Sequence, residues 1–339
     1  MLDTKSNEAD LTPLVSIIVP AHRRPALLID LIQSLWKLDF DYSRLEIVVC
    51  DDASPDDVPQ ILLAMAEQSP CPMKVVLEKQ NRGPTGTRNR AVAIALGEFL
   101  AFVDADCRVD PQWLRCLLAS FELDVAFVAG AVLNKPEQKI IFLSRHRPGV
   151  AVEHPTYPTE NIMYRHSVWK EFGGFNENLC FRNLLGRPNE CADVDLAWRI
   201  LEKGYRHKFC AEAIVYHEVE PQGLKNWLAE PFRLFVVPEL VRRHPQLRDR
   251  LLYKRMFFYP GSVRFYLACL LLPIAFMVFR FWGLLAIVLG FVVLRLLKRL
   301  LIDRKSSYSP VQWLLLAIRQ TVMSAGLIYG SVRFRCLVL

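Results

Sequence analysis

The chain has 339 residues, of which 52% are hydrophobic and 23% charged, and its formal net charge is +7. This composition excludes a disordered or fibrous protein, and the length suffices for one large domain or two modest ones. The nine cysteines form no C-x-x-C pair, which favours reduced thiols in a cytosolic domain over a disulfide framework. The polar N-terminus does not resemble a signal peptide, so we expect the hydrophilic part of the chain to face the cytoplasm.

The first two thirds of the chain alternate short apolar runs with amphipathic segments. The apolar runs predict buried strands at 15–20, 46–50, 74–77, 99–103, 125–132 and 213–216. The amphipathic segments predict helices at 26–37, 58–67, 85–96, 110–123 and 193–203. Because each early strand is a continuous apolar run followed by a helix, the order predicts an α/β fold whose mostly parallel sheet is covered on both faces.

Polar residues follow three of the predicted strands. They are Pro20–Arg23, the pair Asp51-Asp52, and Asp104 with Asp106 in the stretch FVDADC. In such sheets ligands bind beyond the carboxyl ends of the strands, so we expect these residues to meet in one crevice. Two carboxylates spaced Asp-x-Asp suit a hard divalent cation that bridges a diphosphate, although a lone Asp-x-Asp is also a common turn.

The last quarter of the chain is far more apolar than the rest. The segment 263–297 is too long for one membrane-spanning helix and slightly short for two, so it predicts a helical hairpin, spanning or re-entrant. A third apolar segment, 311–332, carries Arg319 and either spans a bilayer or lies at its surface. The stretch 224–240 mixes aromatic residues with prolines, which suits a helix on a membrane surface.

Basic residues cluster beside these apolar segments, which suits anionic lipid on the cytoplasmic face of a membrane. They are Arg242, Arg243, Arg248, Arg250, Lys254, Arg255, Lys298, Arg299, Arg304 and Lys305. No motif for RNA or DNA binding is present in the sequence, so we expect no nucleic-acid partner. The expected location is the inner, cytoplasmic membrane, with the hydrophilic domain on the cytoplasmic side.

Four segments, in chain order, carry a resemblance to a known family. They read VSIIVPAHRR, EIVVCDDASPDD, NRGPTGTRNRAVAIALGEFLAFVDADC and ECADVDLAWRI. Together they resemble a membrane-associated family 2 glycosyltransferase with the GT-A fold, a Rossmann-like, mostly parallel sheet. The resemblance covers about residues 14–220 and implies a catalytic domain there, a connecting interfacial region at 221–261, and a C-terminal membrane region at 262–339.

The resemblance implies an inverting, metal-dependent transfer of a single sugar. The donor would be a UDP- or GDP-linked sugar, and the acceptor a lipid-linked or cell-envelope glycan, as in polysaccharide biosynthesis. The Q-x-x-R-W motif of processive synthases is absent from the sequence, which favours a single addition over polymerisation. The implied cofactor is Mn²⁺ or Mg²⁺.

Several residues take roles from this resemblance. The implied donor-binding residues are Pro20, Ala21, His22, Arg23, Asp52, Arg88 and Asp104. The implied metal ligands are Asp106, with Asp104 nearer the ribose or the metal's water shell, and His217. On the residues alone, a histidine directly after a strand is more often a structural side chain.

Asp193 is the candidate general base that removes the proton of the acceptor hydroxyl. An aspartate at the start of a helix is also a favoured N-cap, which is the competing interpretation. The family usually has Glu-Asp here, whereas this chain has Ala192-Asp193. Glu190 is a nearby acid that would supply the missing carboxylate on the acceptor side, and Asp195 either assists or serves the helix N-terminus.

Two other function classes are open to this sequence. A nucleotidyltransferase also holds a metal with paired acids, but such enzymes open with a glycine-rich basic loop, and PAHRRPALL lacks glycine. A catalytically silent nucleotide-sugar-binding scaffold of a membrane assembly would fit the departure at Ala192. The presence of Asp52, Asp104, Asp106 and Asp193 argues against the scaffold.

Overall fold

The computed structural model describes residues 13–147, 151–183, 186, 188–271, 273–274, 289–290 and 309–339. The chain divides into two compact units, Met1–Gln222 and Gly223–Leu339. Most of the hairpin predicted at 263–297 lies outside the described residues, although 260–271 are helical.

The first unit is built on one large sheet with two small two-stranded sheets beside it. Its strands are β1 Val15–Ala21, β2 Leu45–Asp51, β3 Met73–Leu77, β4 Phe99–Phe102, β5 Cys107–Val109, β6 Val125–Asn134, β7 Ser144–Arg145, β8 Ile162–Arg165, β9 Cys180–Arg182, β10 Pro188–Glu190, β11 Arg206–His217 and β12 Glu220–Pro221. Its helices are α1 Pro25–Leu35, α2 Val58–Glu67, α3 Gly83–Val92, α4 Trp113–Ala119, α5 His166–Glu171 and α6 Ala192–Glu202, with 3-10 turns at Tyr42–Arg44 and Glu177–Leu179.

The large sheet has eight strands in the order β3-β2-β1-β4-β8-β6-β11-β5. Strands β3, β2, β1 and β4 are parallel, and so are β6 and β11. Strand β8 is antiparallel to both β4 and β6, and β5 is antiparallel to β11. The carboxyl ends of β1, β2, β4, β6 and β11 therefore lie at the same edge, and the predicted mostly parallel α/β sheet is confirmed.

The strands are buried because the sheet is covered on both faces. On β1, Ile17 and Val19 join a core cluster that includes Leu28 and Ile32 of α1, while Ile18 between them is equally buried but outside that cluster. Burying each such side chain stabilises the fold by about 1.5–3 kcal/mol. The continuous apolar runs of the sequence follow from this two-sided burial.

In the first unit, three predicted elements have an end that differs by three residues or more from the observed one. The helix predicted at 85–96 ends at Val92, because the amides of Leu96 and Gly97 bind side chains of the neighbouring strands instead of continuing the helix. The helix predicted at 110–123 covers only Trp113–Ala119. The strand predicted at 213–216 begins at Arg206, because a register shift between Cys210 and Ile214 breaks the alternation that identifies a strand.

The second unit is helical. Its elements are α7 Leu224–Ala229, a 3-10 segment Glu230–Val236, α8 Val237–Arg243, α9 Leu247–Leu251 and a C-terminal helix Pro310–Phe334. The single surface helix predicted at 224–240 is therefore divided into three pieces, since Pro231 and Pro238 stand at the start of the second and third.

The C-terminal helix packs closely on the 3-10 segment. A Cβ added at Gly330 would lie 2.0 Å from the carbonyl oxygen of Phe235, so only glycine allows this approach. Arg319 pairs with Glu230 at 2.5 Å and lies 4.5 Å over the ring of Trp227. In the part of the chain that the structure describes, this is the one helix long and apolar enough to cross a membrane.

Candidate active site

Asp106 and His217 meet at the carboxyl edge of the sheet. Strands β5 and β11 place Cys107 opposite His217, so Asp106 lies beside the imidazole, with Oδ1 3.5 Å from Nε2. His217 Nδ1 is 2.7 Å from the carbonyl oxygen of Glu218. Because a carbonyl only accepts, Nδ1 carries the hydrogen and donates it, and in the neutral ring Nε2 turns a lone pair towards Asp106.

The donor atoms of this pair fit a divalent cation. Asp106, Cys107 and His217 each offer a ligand atom within 4.8 Å of the others. Burial raises the pKa of Asp106, so a cation would stabilise its charged form. Burial and the charge of Asp106 also raise the pKa of the Cys107 thiol well above its usual value. The carboxylate oxygen of Asp106 and the imidazole nitrogen of His217 remain as ligands for a divalent cation.

Asp104 is already bound by a cation from the protein. Its Oδ1 accepts a hydrogen bond from Nη2 of Arg88 at 2.5 Å, and Arg88 is a buried residue of α3. The two acids of the Asp-x-Asp pair therefore differ. Asp104 is paired with the charge of Arg88, whereas the charged form of Asp106 is destabilised by burial. This difference is compatible with the predicted roles, Asp106 at the metal and Asp104 nearer the ribose, which stay predictions.

Asp52 holds the start of α3. Its two carboxylate oxygens accept from the backbone amides of Arg82, at 2.6 Å, and Gly83, at 2.9 Å. Its carbonyl oxygen lies 2.9 Å from Nδ1 of His22 and accepts from the side-chain amide of Asn81 at 3.3 Å. The predicted donor-binding residues Asp52 and His22 are thus brought together, and Asp52 also shapes the loop that leads to Arg88.

The ends of β1 and β2 are tied to each other. The carbonyl of Ala21, next to Pro20, accepts from the amide of Asp52 at 2.8 Å, and the amide of Arg23 donates to Oγ of Ser54 at 2.8 Å. These contacts place Pro20–Arg23 at the edge that carries Asp104 and Asp106, as the sequence predicts.

Asp193 begins α6 as a partly buried carboxylate. Its Oδ1 accepts from the amide of Val194 at 2.8 Å. Burial raises its pKa to about 6, although the Val194 amide and the charge of Arg88 act in the opposite direction. A carboxylate with this pKa is ionised at neutral pH and is still basic enough to accept a proton.

The two acids predicted on the acceptor side each hold a neighbouring segment. Buried Asp195 pairs with Nε of Arg199 at 2.8 Å, and Arg199 donates to the carbonyl of Gly174 at 2.7 Å. Glu190 accepts from the amide of Thr85 at 2.8 Å and from its hydroxyl at 2.6 Å, at the start of α3. Contact with an acceptor stays a prediction for both.

Sequence reasoning missed Arg24 and Glu220. Arg24 follows the predicted donor-binding stretch, and its Nη1 lies 3.6 Å from Oδ2 of Asp106 while it also pairs with Glu220. The second arginine of PAHRR was the available signal for Arg24. Glu220 had none, because it is 196 residues away in the chain and only the fold brings it to the site.

The sequence is similar to those of known glycosyltransferases. Residues 16–176 match the family model described as "Glycosyl transferase family 2". A pre-mycofactocin glycosyltransferase of Mycobacterium tuberculosis is 27% identical over 246 residues, 68% of this chain and 48% of that protein. The glycosyltransferase AglE of Haloferax volcanii is 23% identical over 230 residues, 66% of this chain and 72% of that protein. The chain thus spans about half the length of the first of these relatives.

Solved structures share the fold. The mannosyltransferase PcManGT of Pyrobaculum calidifontis, in complex with GDP-Man and Mn²⁺, has a TM-score of 0.56 at 20% identity. The alignment covers 96% of this chain and 87% of the mannosyltransferase chain. Residues 1–349 of S. aureus TarS, in complex with UDP-GlcNAc, have a TM-score of 0.50 at 20% identity over 68% of this chain and 72% of that one. The chain thus matches the family 2 glycosyltransferase model over residues 16–176 and shares the GT-A fold of these structures.

Proposed function

We propose that this protein is a metal-dependent, inverting glycosyltransferase that transfers one sugar from a nucleoside diphosphate to an acceptor hydroxyl. The observation that carries the proposal is the pair Asp106–His217, two electron-pair donors 3.5 Å apart beside Asp104 at the carboxyl edge of the sheet. Asp193 is close enough to Arg88 and Asp104 for their charges to act on its carboxyl.

Asp193 would act on the acceptor. Its carboxylate takes the proton of the acceptor hydroxyl as the oxygen attacks the anomeric carbon, on the face opposite the nucleoside diphosphate, so the configuration inverts. A divalent cation bound by Asp106 and His217, with Asp104 beside them, would supply a Lewis acid for the charge on the departing diphosphate. Arg88 holds Asp104 in place and, through its charge, keeps the pKa of Asp193 from rising further.

The donor is proposed to be a UDP- or GDP-linked sugar. Support comes from structural neighbours of the same fold that hold GDP-Man with Mn²⁺ or UDP-GlcNAc. The acceptor is proposed to be a lipid-linked or cell-envelope glycan, because the same chain carries an apolar C-terminal helix.

Membrane attachment at the cytoplasmic face is proposed from the arrangement of that helix. Apolar side chains such as Val311, Leu314, Ile328 and Val332 are exposed on it, whereas Arg319 turns to Glu230 within the second unit. A helix that presents apolar residues outwards and pairs its charge inwards suits lipid rather than water.

Calorimetric titration of the detergent-solubilised protein with nucleotide sugars, with and without Mn²⁺ or Mg²⁺, tests the proposal. We expect one nucleoside diphosphate sugar to bind only when the metal is present. Asp106→Ala should lose this binding and all turnover while it keeps the wild-type circular dichroism, and Asp124→Ala, an exposed acid paired with Arg206, should keep both.

Two outcomes would contradict the proposal. Folded wild-type protein that binds no donor would refute it. Donor binding without any turnover or donor hydrolysis would favour the scaffold, the alternative that Ala192 motivates.

A further inference from the structure

Arg24 is shared between two carboxylates at the metal edge of the site. Its Nη1 lies 3.6 Å from Oδ2 of Asp106 and is also bound to Glu220. Glu220 has a second cation, Nη1 of Arg145, at 3.7 Å. On the other side of Asp106, Oδ1 faces Nε2 of His217 at 3.5 Å. Arg24 therefore occupies one side of the carboxylate proposed to hold the metal.

The backbone of Arg24 is held in an unusual conformation. Arg23 and Arg24 have φ angles of 60° and 57°, in the left-handed region that is strained for a residue with a Cβ. The hydrogen bond from the Arg23 amide to Ser54 and the start of α1 at Pro25 fix this turn. Such strain persists where the surroundings enforce it and is concentrated at functional sites, and here it aims the guanidinium at Asp106.

We infer that Arg24 pairs weakly with Asp106 in the free protein and transfers to the diphosphate of the nucleotide when a divalent cation binds Asp106. The inference rests on the proposed function and deepens it. A divalent cation at Asp106 repels a guanidinium less than 4 Å from the same carboxylate and so weakens the contact of Arg24 with Oδ2. A diphosphate bridging from the cation presents oxygen anions at that position, and arginine binds such oxygens with paired hydrogen bonds.

Glu220 keeps the released guanidinium within reach. Because β12 pairs with β7, Glu220 is anchored beside Arg145, and its ion pair with Arg24 does not involve Asp106. Arg24 thus exchanges one carboxylate for the diphosphate while it retains the other. Metal and nucleotide should therefore bind cooperatively. The metal alone competes with Arg24 for Asp106, whereas the diphosphate of the nucleotide accepts hydrogen bonds from the released guanidinium.

The test is Arg24→Ala in the full chain, with two separate titrations. The side chain of Arg24 is 53% exposed, so its contact with Asp106 is a weak, screened pair. Its removal should tighten the binding of Mn²⁺ alone about two- to fivefold. The binding of UDP or GDP at saturating Mn²⁺ should weaken about tenfold, because a charge-assisted hydrogen bond to the diphosphate is lost.

The opposite signs of the two effects identify the mechanism. Arg115→Ala, which removes an arginine paired with Asp39 on the surface, should change neither affinity. If Arg24→Ala does not fold, Arg24→Asn removes the same charge with a residue that tolerates the left-handed backbone. A loss of both affinities, or a change in neither, would overturn the inference and leave the proposed function standing. Wild-type protein that binds neither Mn²⁺ nor the nucleotides would overturn both.

Discussion

Replacement of Asp193 by asparagine is expected to stabilise the folded protein and to abolish sugar transfer. Burial raises the pKa of this carboxyl from 3.8 to about 6. In the unfolded chain the carboxyl has its ordinary pKa, so between about pH 4 and pH 6 the folded state binds the proton more tightly and stability falls as the pH rises. Above pH 6 the whole penalty is present. Two pKa units correspond to at most about 3 kcal/mol in the free energy of unfolding.

Thermal denaturation at pH 7 and near pH 4 measures this penalty. At about 2–4 °C per kcal/mol for a unit of this size, we expect the Tm of Asp193→Asn to exceed that of the wild type by up to about 10 °C at pH 7. The difference should vanish near pH 4, where both side chains are uncharged. Donor binding should persist in the variant because Asp193 acts on the acceptor.

Asp195→Asn is the matched control, two positions along the same helix. Asp195 is buried and paired with Arg199 at 2.8 Å, and removing one charge of a buried pair destabilises a protein by about 3–5 kcal/mol. The two substitutions should therefore shift the Tm at pH 7 in opposite directions. A lower Tm for Asp193→Asn, or a difference that persists at pH 4, would refute the pKa argument, and retained transfer would refute the role as base.

Three further results are expected. The kcat/KM of the wild type should fall with a slope of one proton below about pH 6 as Asp193 is protonated, and a profile that is flat to pH 5 would exclude it as the base. The double variant Ile328→Asp/Val332→Asp should co-sediment with anionic vesicles at least tenfold more weakly than the wild type, whereas Leu123→Asp, at a fully exposed position of the first unit, should bind them as the wild type does. Equal vesicle binding by the double variant and by Leu123→Asp would count against a lipid-facing helix. Glu190→Gln should lower the free energy of unfolding in urea by about 1 kcal/mol, because the charged acceptor at Thr85 is lost, and an unchanged midpoint would contradict this.

The central strands of the first unit were predictable because a strand that is buried on both faces has a continuous run of apolar residues in the sequence. Runs such as EIVVC and FLAFV have no polar interruption, and both are central strands. The antiparallel position of β8 between β4 and β6 was not predicted, since pairing across more than 30 residues depends on which edges are free once the other strands have assembled. The bulge in β11 was hidden for a related reason, because an irregular register breaks the period on which strand prediction depends.

At the site, the acids at strand ends were predictable and their partners were not. The carboxyl ends of parallel strands share one edge, so Asp52, Asp104 and Asp106 were expected together before any coordinate was known. Arg88 was expected near the donor only through the family resemblance. That Arg88 neutralises Asp104 rather than Asp106 depends on how α3 packs on β1, a tertiary contact without a sequence period.

The contrast among the acids separates structural from chemical carboxylates. Asp52 and Glu190 accept hydrogen bonds from amides of the loop and helix around Gly83, and Asp104 and Asp195 pair with arginines, so each of these carboxylates has its partners within the fold. In Asp106 and Asp193 burial outweighs the local partners, and the pKa of each is raised. A protein tolerates such costs where a ligand or a proton removes them, which is the condition of a catalytic group. These two residues are also those proposed to hold the cation and to accept the proton. The electrostatic cost and the proposed chemistry thus coincide in the same two side chains.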